Sequence, residues 1–328
     1  MLTDVSWFLV GLIALVIGAD VMVRGSVEVA ARLGISPIVI GLTVVSIGTS
    51  MPELAIGITA AREGGGELAV GNIAGTNVVN MLLILGLSAL ILPLAMQMRT
   101  LRFELPVMAG AAVAMWVLAA DGTLSRIDGA ILVTGAICYI VALIHVTQRE
   151  SRVVAGEFAH AISADEPGEA ASSERRPLAL YVAMMLVGIV IVVVGADWLV
   201  NGAVGLAREF GVSDALIGLT VVAIGTSAPE LVTTVVSTIR GDRDVAVGNL
   251  LGSSIFNILL ILGVTCLVPA HGLALPDSLV RIDIPIMVGV ALLCVPIFIT
   301  GRRVSRIEGG VMVAAYLVYL GYLLAAQT

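Results

Sequence analysis

The stretch GLTVVSIGTSMPEL, residues 41–54, sets a carboxylate, a proline, two glycines and a cluster of hydroxyls inside an apolar run. It returns at 218–231 as GLTVVAIGTSAPEL, changed only at Ser46/Ala223 and Met51/Ala228. The same offset of 177 brings GAD (18–20) back at 195–197, and AVGNIAGTNVVNMLLILG (69–86) back as AVGNLLGSSIFNILLILG (246–263). It drifts to 179 for RFELPVMAG (102–110) against RIDIPIMVG (281–289), and to 180 for SRIDG (125–129) against SRIEG (305–309). The chain is one unit written twice, over 1–147 and 178–328, with residues 148–177 between the copies.

The unit belongs in a bilayer. Hydrophobic residues make up 59% of the chain, charged residues 12%, and the mean hydropathy is +1.09. A helix crosses the hydrocarbon with roughly 20 mostly apolar residues. Such windows centre on 5–23, 37–61, 67–92, 104–120, 128–147, 178–200, 214–239, 245–269, 283–300 and 307–326. They are apolar on every face, unlike the alternating strands of a barrel. The expected fold is therefore an all-α membrane protein of ten transmembrane helices. Five helices per copy is an odd number, so the second copy inserts upside down, giving two inverted-topology five-helix repeats. The first window is too long and too poor in positive charge to read as a cleaved leader, and is expected to stay in the membrane.

All seventeen basic residues are arginine, and thirteen fall on the side of the odd-numbered connections. The positive-inside rule then puts both termini outside and the polar segment 148–177 in the cytoplasm, as a linker. A multi-pass protein of the cell (inner) membrane is expected. The net charge of −7 and the lack of a basic patch exclude nucleic acid as a partner, leaving the lipid bilayer and small ions. No obligatory protein partner is evident. Cys138, Cys266 and Cys294 lie within spans without CxxC spacing, and read as packing residues.

An ionisable side chain near mid-bilayer costs on the order of 2.5–3.5 kcal/mol, so it normally faces a cavity or a partner. Glu53 and Glu230 have no Lys or Arg partner within their own spans, and a cation fits the place. Thr49, Ser50 and Glu53 share a helix at i, i+1 and i+4, and Thr226, Ser227 and Glu230 repeat the spacing. Pro52 and Pro229 have no N–H to give the carbonyls of Gly48 and Gly225, so each helix should bend beside its acid. The next span of each copy adds Thr76 with Asn80, and Ser253 with Asn257, at i and i+4. Hydroxyl, carboxylate and carbonyl oxygens are hard ligands suited to Ca²⁺ or Na⁺.

Other polar repeats read as structural. Gly71/Gly75 and Gly248/Gly252 are GxxxG pairs for close helix approach. Asn72 and Asn249 suit caps or interhelical hydrogen bonds, and Asn77 divides evenly between packing and the edge of the site. Ser125 with Asp128, and Ser305 with Glu308, match the capping box. Glu104 and Asp283 suit helix N-termini. Asp20 could pair with Arg24 at i+4, whereas Asp197 meets Asn201 at the matching place. The three histidines carry no chemistry.

The paired GTSMPE and GTSAPE segments, followed by GNIAGTNVVN and GNLLGSSIFN, resemble the two alpha repeats of the sodium/calcium exchanger family, within the cation/calcium antiporters. The resemblance covers nearly the whole chain outside 148–177. It implies ten helices, four central ion positions in a diamond and alternating access by sliding of the first and sixth spans. It also implies ligands from Thr49, Ser50, Glu53, Thr76 and Asn80 with Thr226, Ser227, Glu230, Ser253 and Asn257, joined by the carbonyls of Ser46 and Ala223. No prosthetic group is implied, only transported Ca²⁺ and Na⁺. Some relatives carry an aspartate at the place of Asn257 associated with K⁺, so K⁺ co-transport is not expected. The segment 148–177 is too short for the calcium-sensing domains of animal exchangers. A Ca²⁺/H⁺ antiporter would use the same glutamates as proton carriers and stays the alternative. A channel suits inverted repeats around one central site less well. An enzyme is not expected, because HExxH and GxSxG are missing and no histidine lies near either acid.

Overall fold

The computed structural model describes residues 2–98, 100–162, 177–211 and 223–326. The protein is mostly helical. In chain order the helices are α1 (Leu2–Leu33), α2 (Pro37–Thr49), α3 (Met51–Arg62), α4 (Gly66–Ile91), α5 (Thr100–Leu118), α6 (Arg126–Ile162), α7 (Leu178–Glu209), α8 (Ala223–Thr226), α9 (Ala228–Arg240), α10 (Arg243–Leu267), α11 (Leu279–Arg302) and α12 (Arg306–Ala326). Four two-residue strands lie between them: β1 (Leu94–Ala95), β2 (Thr123–Leu124), β3 (Leu273–Ala274) and β4 (Arg303–Val304). Among the described residues seven helices are long and apolar enough to cross a membrane, and eight once α2 and α3 count as one bent span. The expected seventh span begins within 212–222, outside the described residues, and continues as α8 and α9.

Burial sorts the helices into a centre and a rim. The most apolar window of α10 is 83% buried and that of α4 is 72% buried, against 28% for α1 and 22% for α7. The rim helices turn Leu9, Val10, Ile13, Ile17, Val187 and Val190 outward, as lipid-facing surfaces require. The core runs through α4, α5, α10 and α11, with Phe256 fully buried and edge-on to Tyr139 at 5.7 Å between ring centroids.

Close approach along α1 and α7 is set by glycine. Gly11, Gly18 and Gly25 recur every seven residues, as do Gly188, Gly195 and Gly202. They place the antiparallel helices backbone to backbone: a Cβ at Gly195 would lie 2.9 Å from the Leu15 nitrogen, and one at Gly18 equally close to the Val192 nitrogen. Only glycine leaves room for this contact.

The two repeats are woven together through matched contacts. β1 pairs with β4 and β2 with β3, both antiparallel, so each sheet takes one strand from each repeat. The fifth span of each repeat crosses the third span of the other where two glycines meet, Gly309 on Gly86 and Gly129 on Gly263. Arg306 Nη2 donates to Ile91 O and Arg126 Nε to Leu267 O, both at 3.1 Å, so each arginine caps the C-terminal end of the opposite third span. Both capping boxes form: Ser125 Oγ donates to Asp128 Oδ2 at 2.6 Å, and Ser305 Oγ to Glu308 Oε2 at 2.7 Å. Each of these contacts has its mate under exchange of the repeats, as a two-fold axis between inverted halves requires.

Candidate cation site

Each proline-containing segment folds as two half-helices separated by one residue. Ser50 interrupts the first at φ −85° and ψ 11°, and Ser227 the second at φ −86° and ψ 5°. Backbone bonding resumes across the breaks, with Leu54 N donating to Ser50 O at 3.3 Å and Leu231 N to Ser227 O at 2.9 Å. The first pair is bent by 42°. Pro52 and Pro229 take the opening turns of α3 and α9, where a missing N–H costs nothing. Glu53 and Glu230 therefore sit in the first turns, at the positive ends of two half-helix dipoles, where acidic side chains are favoured.

The third span of each repeat supplies the other wall, and it is not a plain α-helix. Its ladder widens to π-helical turns at Val79–Ile84 and Asn257–Leu262. Asn80 lies in the first and Asn257 opens the second. Such widened turns recur at functional sites because they re-aim side chains. The pairing is crossed again: α3 packs on the π turn holding Asn257, and α9 on the one holding Asn80.

Eleven of the twelve expected residues are buried. They are Ser46, Thr49, Ser50, Glu53, Thr76, Asn80, Thr226, Ser227, Glu230, Ser253 and Asn257, and Ala223 lies in α8. Ser50 Oγ donates to Glu230 Oε1 at 3.1 Å, joining the repeats at their acids, and the Thr49 and Ser253 hydroxyls flank the same carboxylate. Both oxygens of Glu53, Oε2 of Glu230 and both amide atoms of Asn80 and Asn257 have no protein partner among the described residues. No arginine pairs with either acid there, and no group of three or more His, Cys, Asp or Glu is present. Two acids amid neutral oxygens suit a hard cation that must be released again.

Two residues do more than their sequence reading allowed. Ser46, expected as a carbonyl ligand, sends its hydroxyl to Gly41 O at 2.5 Å and to Asn249 O at 3.1 Å, tying α2 to α10. Its own carbonyl accepts from Ser50 N at 3.1 Å and Thr49 Oγ1 at 3.3 Å. Asn249 makes the interhelical bonds expected of it: its Oδ1 accepts from Thr49 Oγ1 at 3.3 Å, and its Nδ2 donates to Thr234 Oγ1 at 3.2 Å. It thereby orients a candidate ligand. Gly248 and Gly252 seat α2 against α10; the counterpart of α2 that would meet Gly71 and Gly75 lies outside the described residues. Asn77 turns back onto Ile73 O at 2.8 Å.

A cavity of about 590 Å³ lies between α3, α7 and α8, lined by Met51, Pro52, Ile56, Val193, Asp197 and Thr226 among others. At the two-fold-related place α1 packs onto α9, where Leu15 and Ala19 meet Ala228, Val232 and Val236. The end of that contact is an ion pair: Asp20 bonds Arg24 at 3.0 Å, as its spacing suggested, and also Arg240 of α9.

The family model described as sodium/calcium exchanger protein matches residues 3–145 and 180–325. The chain belongs to that family. The exchanger is 35% identical to a putative antiporter, CaxA, of Alkalimonas amylolytica over 97% of this chain and 98% of that one. It is 31% identical to the sodium/calcium exchanger MaX1 of Methanosarcina acetivorans, over 95% and 96% of the two chains. Among solved structures it superposes on the sodium-calcium exchanger NCX_Mj with a TM-score of 0.81 and 29% identity, covering 97% of both chains. The exchanger is thus a multi-pass membrane antiporter of the cation/calcium class, and not an enzyme.

Proposed function

We propose that the exchanger moves Na⁺ and Ca²⁺ in opposite directions by alternating access to one central site, with Glu53 and Glu230 as its charged ligands. One observation carries the reading above all: two fully buried acids, one from each repeat, stand at half-helix N-termini, and Ser50, in the segment that holds Glu53, donates across the repeats to Glu230. The hydroxyls of Thr49, Ser50, Thr76, Thr226, Ser227 and Ser253, the amides of Asn80 and Asn257, and the carbonyls of Ser46 and Ala223 complete the shell. Residues 1–147 and 178–328 act as the two repeats. The arginine count supports a cell-membrane protein with both termini outside and the 148–177 linker cytoplasmic.

Two carboxylates balance one Ca²⁺ or two Na⁺. A third Na⁺ in the cluster makes exchange of three for one move a net charge, worth about 2.3 kcal/mol per 100 mV. An empty site leaves the two acids uncompensated, which disfavours its occlusion and keeps transport coupled.

Uptake of radiolabelled Ca²⁺ into Na⁺-loaded proteoliposomes diluted into Na⁺-free buffer tests this. Uptake should require the outward Na⁺ gradient. Glu53→Gln and Glu230→Gln should each lose about a hundredfold or more, the cost of removing one partner of a buried charge. Uptake driven by a pH gradient without Na⁺ would make the counter-ion a proton while keeping the same glutamates. A double glutamine variant working at full rate would sink the site.

A further inference from the structure

Beyond Glu230, α9 carries Thr233, Thr234, Ser237 and Thr238, all inaccessible to solvent. At the matching places α3 has Ile56, Gly57, Ala60 and Ala61, so the two half-helices part company one turn past their acids. Thr234 accepts from Asn249, and Thr238 donates to Thr234 O at 2.7 Å. Thr233 Oγ1 and Ser237 Oγ have no partner among the described residues. A buried hydroxyl left unpaired costs about 1–3 kcal/mol, so it calls for a ligand that the described residues do not provide.

The two-fold relation says where Thr233 acts. Ile56 lines the open cavity together with Met51, Pro52, Ala55, Asp197 and Thr226. Exchanging the repeats turns this lining into Thr233 with Ala228, Pro229, Val232, Asp20 and Thr49. That surface is now closed by α1. When inverted repeats trade conformations, a cavity closes on one side as its mate opens on the other. The mate differs from the open cavity in a respect that matters to an ion: a hydroxyl replaces the Ile56 side chain about one turn from the glutamate.

We propose that Thr233 is a cation contact on the α9 approach to the site, one that the α3 approach does not possess. A Ca²⁺ or Na⁺ entering from the α9 side loses part of its water against the Thr233 hydroxyl before it reaches Glu230. On the α3 side the ion meets only the apolar Ile56 on that wall. The exchanger therefore binds cations with unequal affinity from its two sides although the central shell is nearly symmetric. The inference rests on the Glu53/Glu230 reading and, for the name of each side, on the arginine count, which makes the α9 side cytoplasmic.

The test is the concentration dependence of radiolabelled Ca²⁺ uptake, measured separately in right-side-out and inside-out membrane vesicles driven by whichever gradient supports transport. Thr233→Val removes the hydroxyl and keeps the shape. It should raise the KM for Ca²⁺ at the α9 side by about three- to tenfold, as for one lost hydroxyl contact, and leave the α3-side KM unchanged. Thr233→Ser should restore the original value, and Ile56→Thr should lower the KM at the α3 side. Equal KM changes on both sides in Thr233→Val, or none, would overturn the proposal. Should Thr233→Val fail to fold, an unchanged α3-side KM in Ile56→Thr would overturn it instead. Failure of the central-site reading would show separately, as Ca²⁺ uptake that survives in Glu230→Gln.

Discussion

Single side chains decide whether this site holds an ion or only packs. Ser46 is the clearest instance, because its carbonyl and its hydroxyl point to different roles. The repeat comparison drew attention to residue 46 as a difference between copies, and the hydroxyl accounts for it by bonding α2 to α10. Ser46→Ala is therefore expected to lower stability by about 1 kcal/mol, one hydrogen bond, while Ca²⁺ transport persists. Thermal denaturation in detergent beside an uptake assay checks both halves of that statement; loss of transport with unchanged stability would make the hydroxyl itself a ligand. The acids, prolines and hydroxyls of the opening motif were legible because burying them without a partner makes no sense in a bilayer. Thr233 was equally visible as a mismatch with Ile56, but lay past the end of the matched motif, where the copies diverge. Arg126 and Arg306 escaped notice for a different reason. Each acts on a helix end of the opposite repeat, and sequence order does not show which chain end lies beneath which loop.

Among elements, the broken helices were foreseeable from proline and the widened turns were not. A π turn at Val79–Ile84 or Asn257–Leu262 leaves the apolar run intact and adds no special residue. Its cause is tertiary, since Asn80 and Asn257 must be aimed at a half-helix of the other repeat. The glycine spacing of α1 and α7 is written in the chain at intervals of seven, and acquires meaning only when the two helices are set side by side. These helices also carry the plainest asymmetry of the molecule. Asp20 holds Arg240, whereas the mates of these two residues are Asp197 and Glu63, two acids that would repel if α7 closed onto α3. The ion pair thus favours the state in which α1 covers α9, and nothing of its kind favours the reverse. Asp20→Asn is expected to shift the exchanger toward opening on the α9 side. In a background without Cys138, Cys266 and Cys294, a cysteine at Val232 should then react faster with a membrane-impermeant thiol reagent applied from that side. Unchanged labelling would show that the apolar contact of Leu15 and Ala19 is enough to keep it shut.

Across the whole molecule, the short sheets bear on topology more than on stability. Strands that pair must lie on the same face of the membrane, so an even number of crossings separates β1 from β4 and β2 from β3. The ten-span reading supplies six and four, provided that α8 and α9 together make a crossing. A reporter enzyme fused after residue 147 should accordingly read as cytoplasmic, and one fused after residue 122 as external; the same compartment for both would break the scheme. Apolar length and repeat parity made the membrane class and the inversion legible from the chain. The weave of the halves was not, because every contact that makes it joins residues more than a hundred positions apart.

The crossed strands have a historical consequence. A polypeptide holding one repeat alone would carry two strands with no partner of their own, because β1 pairs with β4 and not with β2. Two such polypeptides inserted in opposite senses would satisfy all four at once, forming both sheets as copies of a single contact. The same holds for the Gly86–Gly309 and Gly129–Gly263 crossings and for the arginines that cap the third spans. The interface between the halves is what a dual-orientation homodimer would leave behind after gene duplication and fusion, and on that view it is older than the linker that now joins them.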